Sequence, residues 1–480
     1  MGNGNSRCTE LVMQPNAACN IGECAENIRG QRANSASPSD IWVVTMRPNT
    51  NYETLRIERP INLKIFISPR SPTIHSTLDP TQVLINPASE LRYETLIYEY
   101  VVNSMLHNML NPFFVQYYGG ANGCTFDQLV NNLSYPKTNL SDQQRTLALL
   151  RSTFFMSNNL PGRPSITDIA ELNPANPQIN GINTALLAEL FTARNNIRYG
   201  LIATARSVGI PLSNWIQQRI HNGTFTNDGW VCIIQVVSAL AALEGYECAH
   251  NDIHHGNLFV EDGHYNYRLV YDDQQQNVTT SLNCRMKVCL YDWDRSYVTD
   301  LGNNPLLTNP QYDFCTHGAE CNEYIPQRDL TKFMLHLLDY GVNAATRQSI
   351  IDLLCSTTMS QPNRDNFINN VVNNVDQYGR AGHGFMQFRN TNTMQRNDYI
   401  GIRTPKRLLT HLIHQRSAIP NSGVSQLVLY NPELPMIAQD IFNTYIFTTE
   451  RINDSKRVFM TTEELEQRRS RGDAVQRMEH

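Results

Sequence analysis

The feature that most constrains this chain is a pair of polar clusters that bracket two strand-like runs. Residues 250–257 read HNDIHHGN, and residues 291–294 read YDWD. The apolar runs between them predict a pair of β-strands around 257–292, separated by the polar stretch YDDQQQNVTTSLN. Such a hairpin can extend outward without moving either cluster. The pattern therefore predicts that the side chains at its base work together.

Three side chains of these clusters suggest a specific chemistry. Asp252 stands five residues before Asn257, and Asp292 follows an apolar run. A carboxylate that orients a hydroxyl, together with two oxygen ligands for a divalent cation, meets the needs of phosphoryl transfer from a nucleotide. The histidines of HNDIHHGN could instead form a metal cluster, but the Asp–Asn spacing favours the first interpretation. The plain structural alternatives are a core histidine at His250 and a helix cap at Asp252.

Composition excludes several classes of protein. The chain has 480 residues, 41% hydrophobic and 17% charged, with a net charge of -5, so we expect a globular protein without a nucleic-acid partner. The longest apolar run, residues 230–246, is interrupted by Gln235 and Ser238. This favours a buried core helix over a membrane span, which needs roughly 20 apolar residues. Eleven cysteines without a CxxC pair predict reduced thiols and no zinc ribbon.

The chain is predicted to have four parts. Residues 1–40, rich in Asn, Ser, Gly and Ala, predict a flexible arm. Residues 41–206 hold the strand-like runs DIWVVTM, INLKIFI and RYGLIATA, with an insertion at about 125–195. Residues 207–418 are mainly helical apart from the strand pair, and 419–480 form a C-terminal extension. The pattern predicts an α+β chain.

Several of these motifs resemble those of the protein kinase superfamily. HNDIHHGN resembles the catalytic-loop pattern H-x-D-x-x-x-x-N, and YDWD resembles the D-F-G element. INLKIFI resembles the strand of the phosphate-binding lysine, and QRDLTKFMLHLL resembles a later helix of the second lobe. The resemblance spans roughly residues 30–415. It implies a bilobal kinase-like fold with a β-rich N-terminal lobe, a long insertion and a mainly helical C-terminal lobe.

The resemblance also implies roles for five residues, with ATP and Mg²⁺ as cofactors. Asp252 would align the acceptor hydroxyl. Lys64 would hold the nucleotide phosphates, and Glu94 would fix Lys64. Asn257 and Asp292 would bind the metal.

Two further residues are expected to support this site, and two alternatives stay open. His250 would support the catalytic loop, and Asp329 would brace its backbone from the following helix. Glu99 is the rival of Glu94 as partner of Lys64. A lysine on an edge strand can also be only a solubility device, which is the alternative for Lys64.

The chain departs from the kinase pattern at several positions. A glycine-rich loop is expected before DIWVV, but only Gly30 and other small residues stand there. This departure favours an alternative in which the chain is a structural component of a virion that keeps the kinase fold and has weak catalytic activity. Asn251 replaces the arginine typical of regulated kinases, which predicts activity independent of activation-segment phosphorylation. His254 replaces the usual lysine, and this favours a small-molecule phosphotransferase of the aminoglycoside or choline kinase type. Trp293 and Asp294 replace Phe and Gly.

Within the superfamily, the chain is similar to the divergent serine/threonine kinase-like phosphotransferases of iridoviruses and related large cytoplasmic DNA viruses. YETLIYEYVV, GIPLSNWI and HNDIHHGNLFVED carry this resemblance. It implies virion or host proteins as substrates, contact with capsid proteins, and a location in the host cytoplasm and the virion. The start MGNGNSRC satisfies the motif for N-myristoylation at Gly2, which predicts contact with the internal membrane of the virion. The alternative is a polar start without a lipid.

Overall fold

The strand-like runs of the first half of the chain form one antiparallel sheet. Its strands, in chain order, are β1 (Ala25–Gln31), β2 (Asp40–Met46), β3 (Ile61–Ser68), β4 (Tyr117–Thr125) and β5 (Arg198–Ala205). The spatial order is β1-β2-β3-β5-β4. Ile61 and Leu63 are buried on one face of the sheet, and Val43, which pairs with Asn62, is buried on the other face. A separate small sheet joins Glu10–Leu11, Asn51–Tyr52 and Leu55–Arg56.

In the computed structural model, the chain forms two compact units. The first unit is Met1–Thr95 with Gln116–Arg206, and the second is Leu96–Val115 with Ser207–His480. Helices and strands both occur, as predicted for an α+β chain. The described residues are 10–11, 25–31, 40–46, 51–52, 55–56, 60–68, 93–125, 198–206, 209–221, 224–225, 227–273, 276–305, 307, 321–372, 396–414, 427–428 and 443–459.

Two expectations about the first unit need correction. Ala25–Gln31 was expected in a flexible arm but forms β1, with Gly30 opposite Trp42 on β2. A strand can be specified by its neighbour rather than by its own apolar pattern, and this segment has little pattern of its own. Residues 96–115, expected in the first lobe, cluster with the second unit. The predicted insertion lies outside the described residues from 126 onward.

The second unit is built on a long hairpin of β6 (Leu258–Asp273) and β7 (Gln276–Leu290). The polar stretch at 271–283, expected to separate two strands, is itself largely strand, since Asp273 pairs with Gln276. Two further strands pair with the hairpin and stabilise it. Asn443–Ile446 pairs with β6, and Leu427–Val428 pairs with β7. The predicted C-terminal extension, residues 419–480, therefore contributes both of these strands to the sheet. Ile210–Pro211 also pairs with β6. Two short ribbons complete the strands, Ile220–His221 with Thr224–Phe225 and Cys248–Ala249 with Tyr297–Val298.

Helices supply the rest of the described second unit. The α-helices are α1 (Leu212–Arg219), α2 (Asn227–Glu244), α3 (Pro326–His336), α4 (Ala344–Leu354), α5 (Gln361–Phe367), α6 (Pro405–His414) and α7 (Thr449–Phe459). Residues 93–107 are also helical, with a π-helical stretch at Tyr98–Asn103 and an α-helix at Ser104–His107. Short 3₁₀ or π segments lie at Thr299–Leu301, Leu337–Tyr340, Ile368–Val372 and Arg396–Tyr399.

Helix α2 is buried from Trp230 to Leu243 and contains residues 230–244 of the longest apolar run. Its two polar interruptions are buried and hydrogen-bonded, as buried polar groups must be. Gln235 donates to the Met286 carbonyl oxygen at 3.0 Å and accepts from the Val288 N–H at 2.8 Å, which fastens α2 to β7. Ser238 accepts from Asn111 at 3.1 Å. Among the described residues, no helix combines the length and apolar character needed to cross a membrane.

The cysteines agree with the expectation of reduced thiols only in part. Five of them are buried free thiols, namely Cys232, Cys248, Cys284, Cys289 and Cys355. Cys321 is disulfide-bonded, contrary to that expectation. A disulfide depends on which sulfurs the fold brings together, and the absence of a CxxC spacing does not exclude it.

Candidate active site

The hairpin brings the two polar clusters of the sequence to one place. Leu258 at the start of β6 pairs with Leu290 at the end of β7. The next residues outward remain paired, because the Tyr291 N–H donates to the Asn257 carbonyl oxygen at 3.0 Å. Asp292 follows directly. Asn257 and Asp292 therefore lie at the same end of the hairpin, and both are partly exposed.

The loop before β6 is held by a series of short backbone turns. The Asp252 N–H donates to the His250 carbonyl at 2.7 Å, and the His254 N–H donates to the Asp252 carbonyl at 2.9 Å. The Asn257 side chain closes the loop, since its Nδ2 donates to the Asp252 carbonyl at 3.1 Å and lies 3.4 Å from Asp252 Oδ2. The amide nitrogen is thus used inside the loop. The remaining amide oxygen, Oδ1, is the atom suited to bind a cation.

Asp329 contacts the backbone of this loop from the first turn of α3. Its carboxylate accepts the His250 N–H at 2.6 Å and the Asn251 N–H at 2.9 Å. Asn251 has a positive φ of 60°, which is uncommon for a residue other than glycine and needs support from its surroundings. Asp292 has a φ of 64°. Such conformations cluster at functional sites, and here they occur on both sides of the hairpin base.

His250 is a buried histidine that ties the loop to the segment after β7. Its Nε2 donates to the Tyr291 carbonyl oxygen at 2.9 Å. Its ring lies 4.7 Å from the ring of Trp293, which is itself stacked on Phe114 at 5.8 Å. Trp293 is fully buried. Trp293 therefore packs between the loop and Phe114.

The carboxylate of Asp252 is buried and contacts two cations that the sequence analysis missed. Arg295 NH1 lies 2.9 Å from Oδ2, and Lys332 Nζ lies 3.7 Å from Oδ1. Burial alone would raise the pKa of Asp252, but the positive charges of Arg295 and Lys332 outweigh it and hold that pKa well below its usual range. Burial also lowers the pKa of Lys332 to about 8, against the opposing charge of Asp252.

The two cations differ in whether the sequence could have indicated them. Lys332 follows Asp329 by three residues on α3, so both belong to one helical face, and this spacing was a usable signal. Arg295 follows Asp292 by three residues in a loop, where spacing predicts no contact. His254, the residue noted in the sequence, is farther away, with Nε2 3.9 Å from Asp252 Oδ2. Burial lowers the pKa of His254, which makes it a weaker source of positive charge.

The first unit contains a second cluster of the predicted residues. Lys64 on β3 donates to both carboxylate oxygens of Glu94, at 3.1 and 3.0 Å, and both side chains are buried. Glu99 lies further along the same helical segment. Strand β3 lies inside the sheet, with β2 on one side and β5 on the other. The interpretation of Lys64 as a solubility device on an edge strand is therefore wrong.

The site contains oxygen donors suited to magnesium rather than a complete metal cage. Mg²⁺ prefers oxygen ligands and is usually bound by one or two carboxylates together with substrate phosphates and water. Asp292 and Asn257 Oδ1 match that donor set. No group of three or more His, Cys, Asp or Glu side chains that could hold a metal occurs in the described part of the chain. The interpretation of HNDIHHGN as a histidine metal cluster therefore has no structural support there.

Comparisons with known proteins add little to these observations. Neither the protein-family models nor the curated proteins yield a match to this chain. Among solved structures, a crystal structure of a Plasmodium kinase domain is similar at 10% sequence identity and a TM-score of 0.29, over 80% of this chain and 93% of that chain. That TM-score is too low to define a common fold. Gly2, the predicted lipidation site, lies outside the described residues.

Proposed function

We propose that this chain is a phosphotransferase of the protein kinase type, which moves the γ-phosphoryl group of ATP to a serine or threonine hydroxyl with the help of Mg²⁺. The observation that carries the proposal is the group at the base of the hairpin. There a buried carboxylate, Asp252, lies beside two oxygen donors, Asn257 and Asp292. One carboxylate for the hydroxyl and two ligands for the metal are the parts that phosphoryl transfer requires.

Each residue of this group has a distinct task in the proposed reaction. Asp252 accepts a hydrogen bond from the acceptor hydroxyl and points its oxygen at the phosphorus. Asn257 Oδ1 and the Asp292 carboxylate would hold Mg²⁺, which neutralises charge on the phosphate oxygens when bound. The transition state of such transfers is loose, so most of the catalytic effect comes from positioning and charge stabilisation.

The pair in the first unit supports the same function. Kinases carry a phosphate-binding lysine on the third strand of a sheet, and a glutamate on the following helix holds it. Lys64 is on the third strand of its sheet in chain order, and Glu94 is on a helical segment that follows it in the chain. In the proposed enzyme Lys64 binds the α- and β-phosphates of ATP. Glu94 keeps its ammonium group extended.

Asn251 supports an enzyme that does not depend on activation-segment phosphorylation. Its side chain donates to the carbonyl oxygens of Arg295 and Cys321, both at 3.0 Å. Its Oδ1 lies 3.5 Å from Arg328 NH1. These contacts join the loop to neighbouring segments through a side chain that carries no charge, whereas an arginine here would be able to bind a phosphate.

A small-molecule phosphotransferase is the second candidate, and His254 favours it. His254 stands two residues after Asp252 and is partly exposed beside the carboxylate. This position is a lysine in typical protein serine/threonine kinases. The two candidates share the chemistry at Asp252 and differ only in the acceptor.

One assay separates these candidates. The purified chain is incubated with radiolabelled ATP and Mg²⁺, with a panel of proteins in one set of reactions and aminoglycosides and choline in another. We expect phosphoserine or phosphothreonine in a protein, and its loss when EDTA removes the metal. Label found only in a small molecule would favour the second candidate. No transfer to any acceptor and no ATP hydrolysis would contradict both and would favour a structural component.

A further inference from the structure

The buried carboxylate of Asp252 is held by cations from two other parts of the second unit. Arg295 lies in the segment after β7, and its NH1 reaches Oδ2 at 2.9 Å. Lys332 lies on α3, and its Nζ reaches toward Oδ1 at 3.7 Å. Both cations are at least nine-tenths buried. The two oxygens of the carboxylate are therefore approached from different sides by groups that solvent screens little.

The side chain of Lys332 and the backbone of Arg295 both contact the residue before Asp252. Lys332 Nζ donates to the Asn251 carbonyl oxygen at 2.6 Å. The carbonyl oxygen of Arg295 accepts from Asn251 Nδ2 at 3.0 Å. The side chains and the loop backbone thus form one connected network. Lys332 therefore contacts the loop backbone as well as the carboxylate, whereas the guanidinium of Arg295 contacts the carboxylate alone among these groups.

This arrangement suits a carboxylate that orients a hydroxyl rather than one that removes a proton early. A loose transition state puts little demand on a strong base and much on geometry. An isolated buried carboxylate would be strongly destabilised, and pairing with hydrogen-bonded cations offsets that cost. The usual source of positive charge in such loops is a lysine two residues after the aspartate. Here that residue is His254.

We propose that Arg295 and Lys332 are positioning residues that fix the orientation of Asp252 and together replace the missing loop lysine. The inference rests on the proposed function and deepens it. It assigns the positive charge beside the acceptor hydroxyl to an arginine after the second polar cluster and to a lysine on α3. Neither residue needs to contact the nucleotide to do this.

The test is a double-mutant cycle with separate readouts for binding and turnover. Arg295→Met and Lys332→Met are each made in the wild-type chain and in the Asp252→Asn chain, and kcat and the KM for ATP are measured. In the wild-type chain we expect kcat to fall by about 10- to 100-fold, the size that a misplaced catalytic group produces, with KM changed by less than about threefold. In the Asp252→Asn chain the same substitutions should lower kcat by less than about threefold.

Two controls separate positioning from general stability. Arg295→Lys keeps a cation and should recover most of the activity lost in Arg295→Met. Lys406→Met removes the partner of Asp272, 2.7 Å away and outside the site, and should leave kcat unchanged. Thermal unfolding is recorded for every variant. If Lys332→Met does not fold, the comparison of Arg295→Met, Asp252→Asn and the variant with both substitutions decides the proposal.

The outcomes distinguish this inference from the proposed function. Equal losses of kcat in the wild-type and Asp252→Asn chains would overturn the inference, because they would mean that the cations act on the fold and not through Asp252. Unchanged kcat in Arg295→Met and Lys332→Met would overturn it as well. If Asp252→Asn alone retained wild-type kcat, the proposed function itself would be wrong.

Discussion

Asp329→Asn is the substitution whose effect can be worked out most directly from the structure. The Asp329 carboxylate accepts two backbone hydrogen bonds, from His250 at 2.6 Å and from Asn251 at 2.9 Å. Asparagine keeps one oxygen and places an NH₂ group against the other N–H, so one buried donor loses its acceptor. A hydrogen bond to a charged group contributes about 1.5–3 kcal/mol. We expect the free energy of unfolding to fall by about that amount.

The loss can be measured as a shift in thermal unfolding. At about 2–4 °C per kcal/mol, it corresponds to a fall in Tm of roughly 3–12 °C. Turnover of ATP should fall by more than the loss of folded protein explains. The weakened contacts support the uncommon φ of Asn251, and the loop that they hold carries Asp252. Asp365→Asn is the matched control, since Asp365 is exposed and accepts only a helical side-chain contact, from Gln361 at 2.8 Å.

One result would show that Asp329 does not brace the loop. An Asp329→Asn protein with the Tm and the turnover of Asp365→Asn would mean that the two backbone contacts do not hold the loop. A lower Tm with unchanged turnover would preserve the structural role. It would remove the link from α3 to catalysis.

Three further predictions test other parts of the structure. Lys64→Met should raise the KM for ATP or lower kcat, and Glu94→Gln should cause a smaller change of the same kind. A change in KM or kcat in Glu99→Gln, with none in Glu94→Gln, would contradict the pairing of Lys64 with Glu94. Trp293→Ala should lower the free energy of unfolding by about 3–5 kcal/mol in chemical denaturation, because it leaves a cavity at a fully buried position. A loss below about 1 kcal/mol would contradict this expectation. Burial raises the pKa of Glu244 in the folded chain above 4.5, its ordinary value in the unfolded chain. The contribution of Glu244 to stability is therefore complete at a pH below 4.5 and is lost as the pH rises through the folded-state pKa. Glu244→Gln should therefore flatten the dependence of Tm on pH above 4.5, and parallel curves for variant and wild type would refute it.

The sequence predicted best those features that depend on local pattern. The run DIWVVTM coincides with the observed strand Asp40–Met46, because a short apolar run rich in β-branched and aromatic residues favours a strand. Asp252, Asn257 and Asp292 could be singled out because each lies at a fixed spacing from a strand end. The pairing of two neighbouring strands was enough to bring them together.

Other features depend on contacts that no local pattern contains. Arg295 and Lys332 reach Asp252 from 43 and 80 residues away in the chain. Lys332 is brought there by the packing of α3 against the loop, and Arg295 by the course of the segment after β7. Ala25–Gln31 is a strand because β2 offers it backbone partners, not because its own residues alternate. Asn443–Ile446 joins the hairpin sheet for the same reason.

The central claim is that Asp252 aligns the acceptor hydroxyl while Asn257 and Asp292 hold the metal. The most direct measurement compares wild type, Asp252→Asn and Asp292→Asn for ATP turnover and for Mg²⁺-dependent ATP binding. We predict that Asp252→Asn lowers turnover by about 10²- to 10⁴-fold with nearly unchanged ATP binding, whereas Asp292→Asn weakens both. Wild-type turnover in Asp252→Asn would contradict the account.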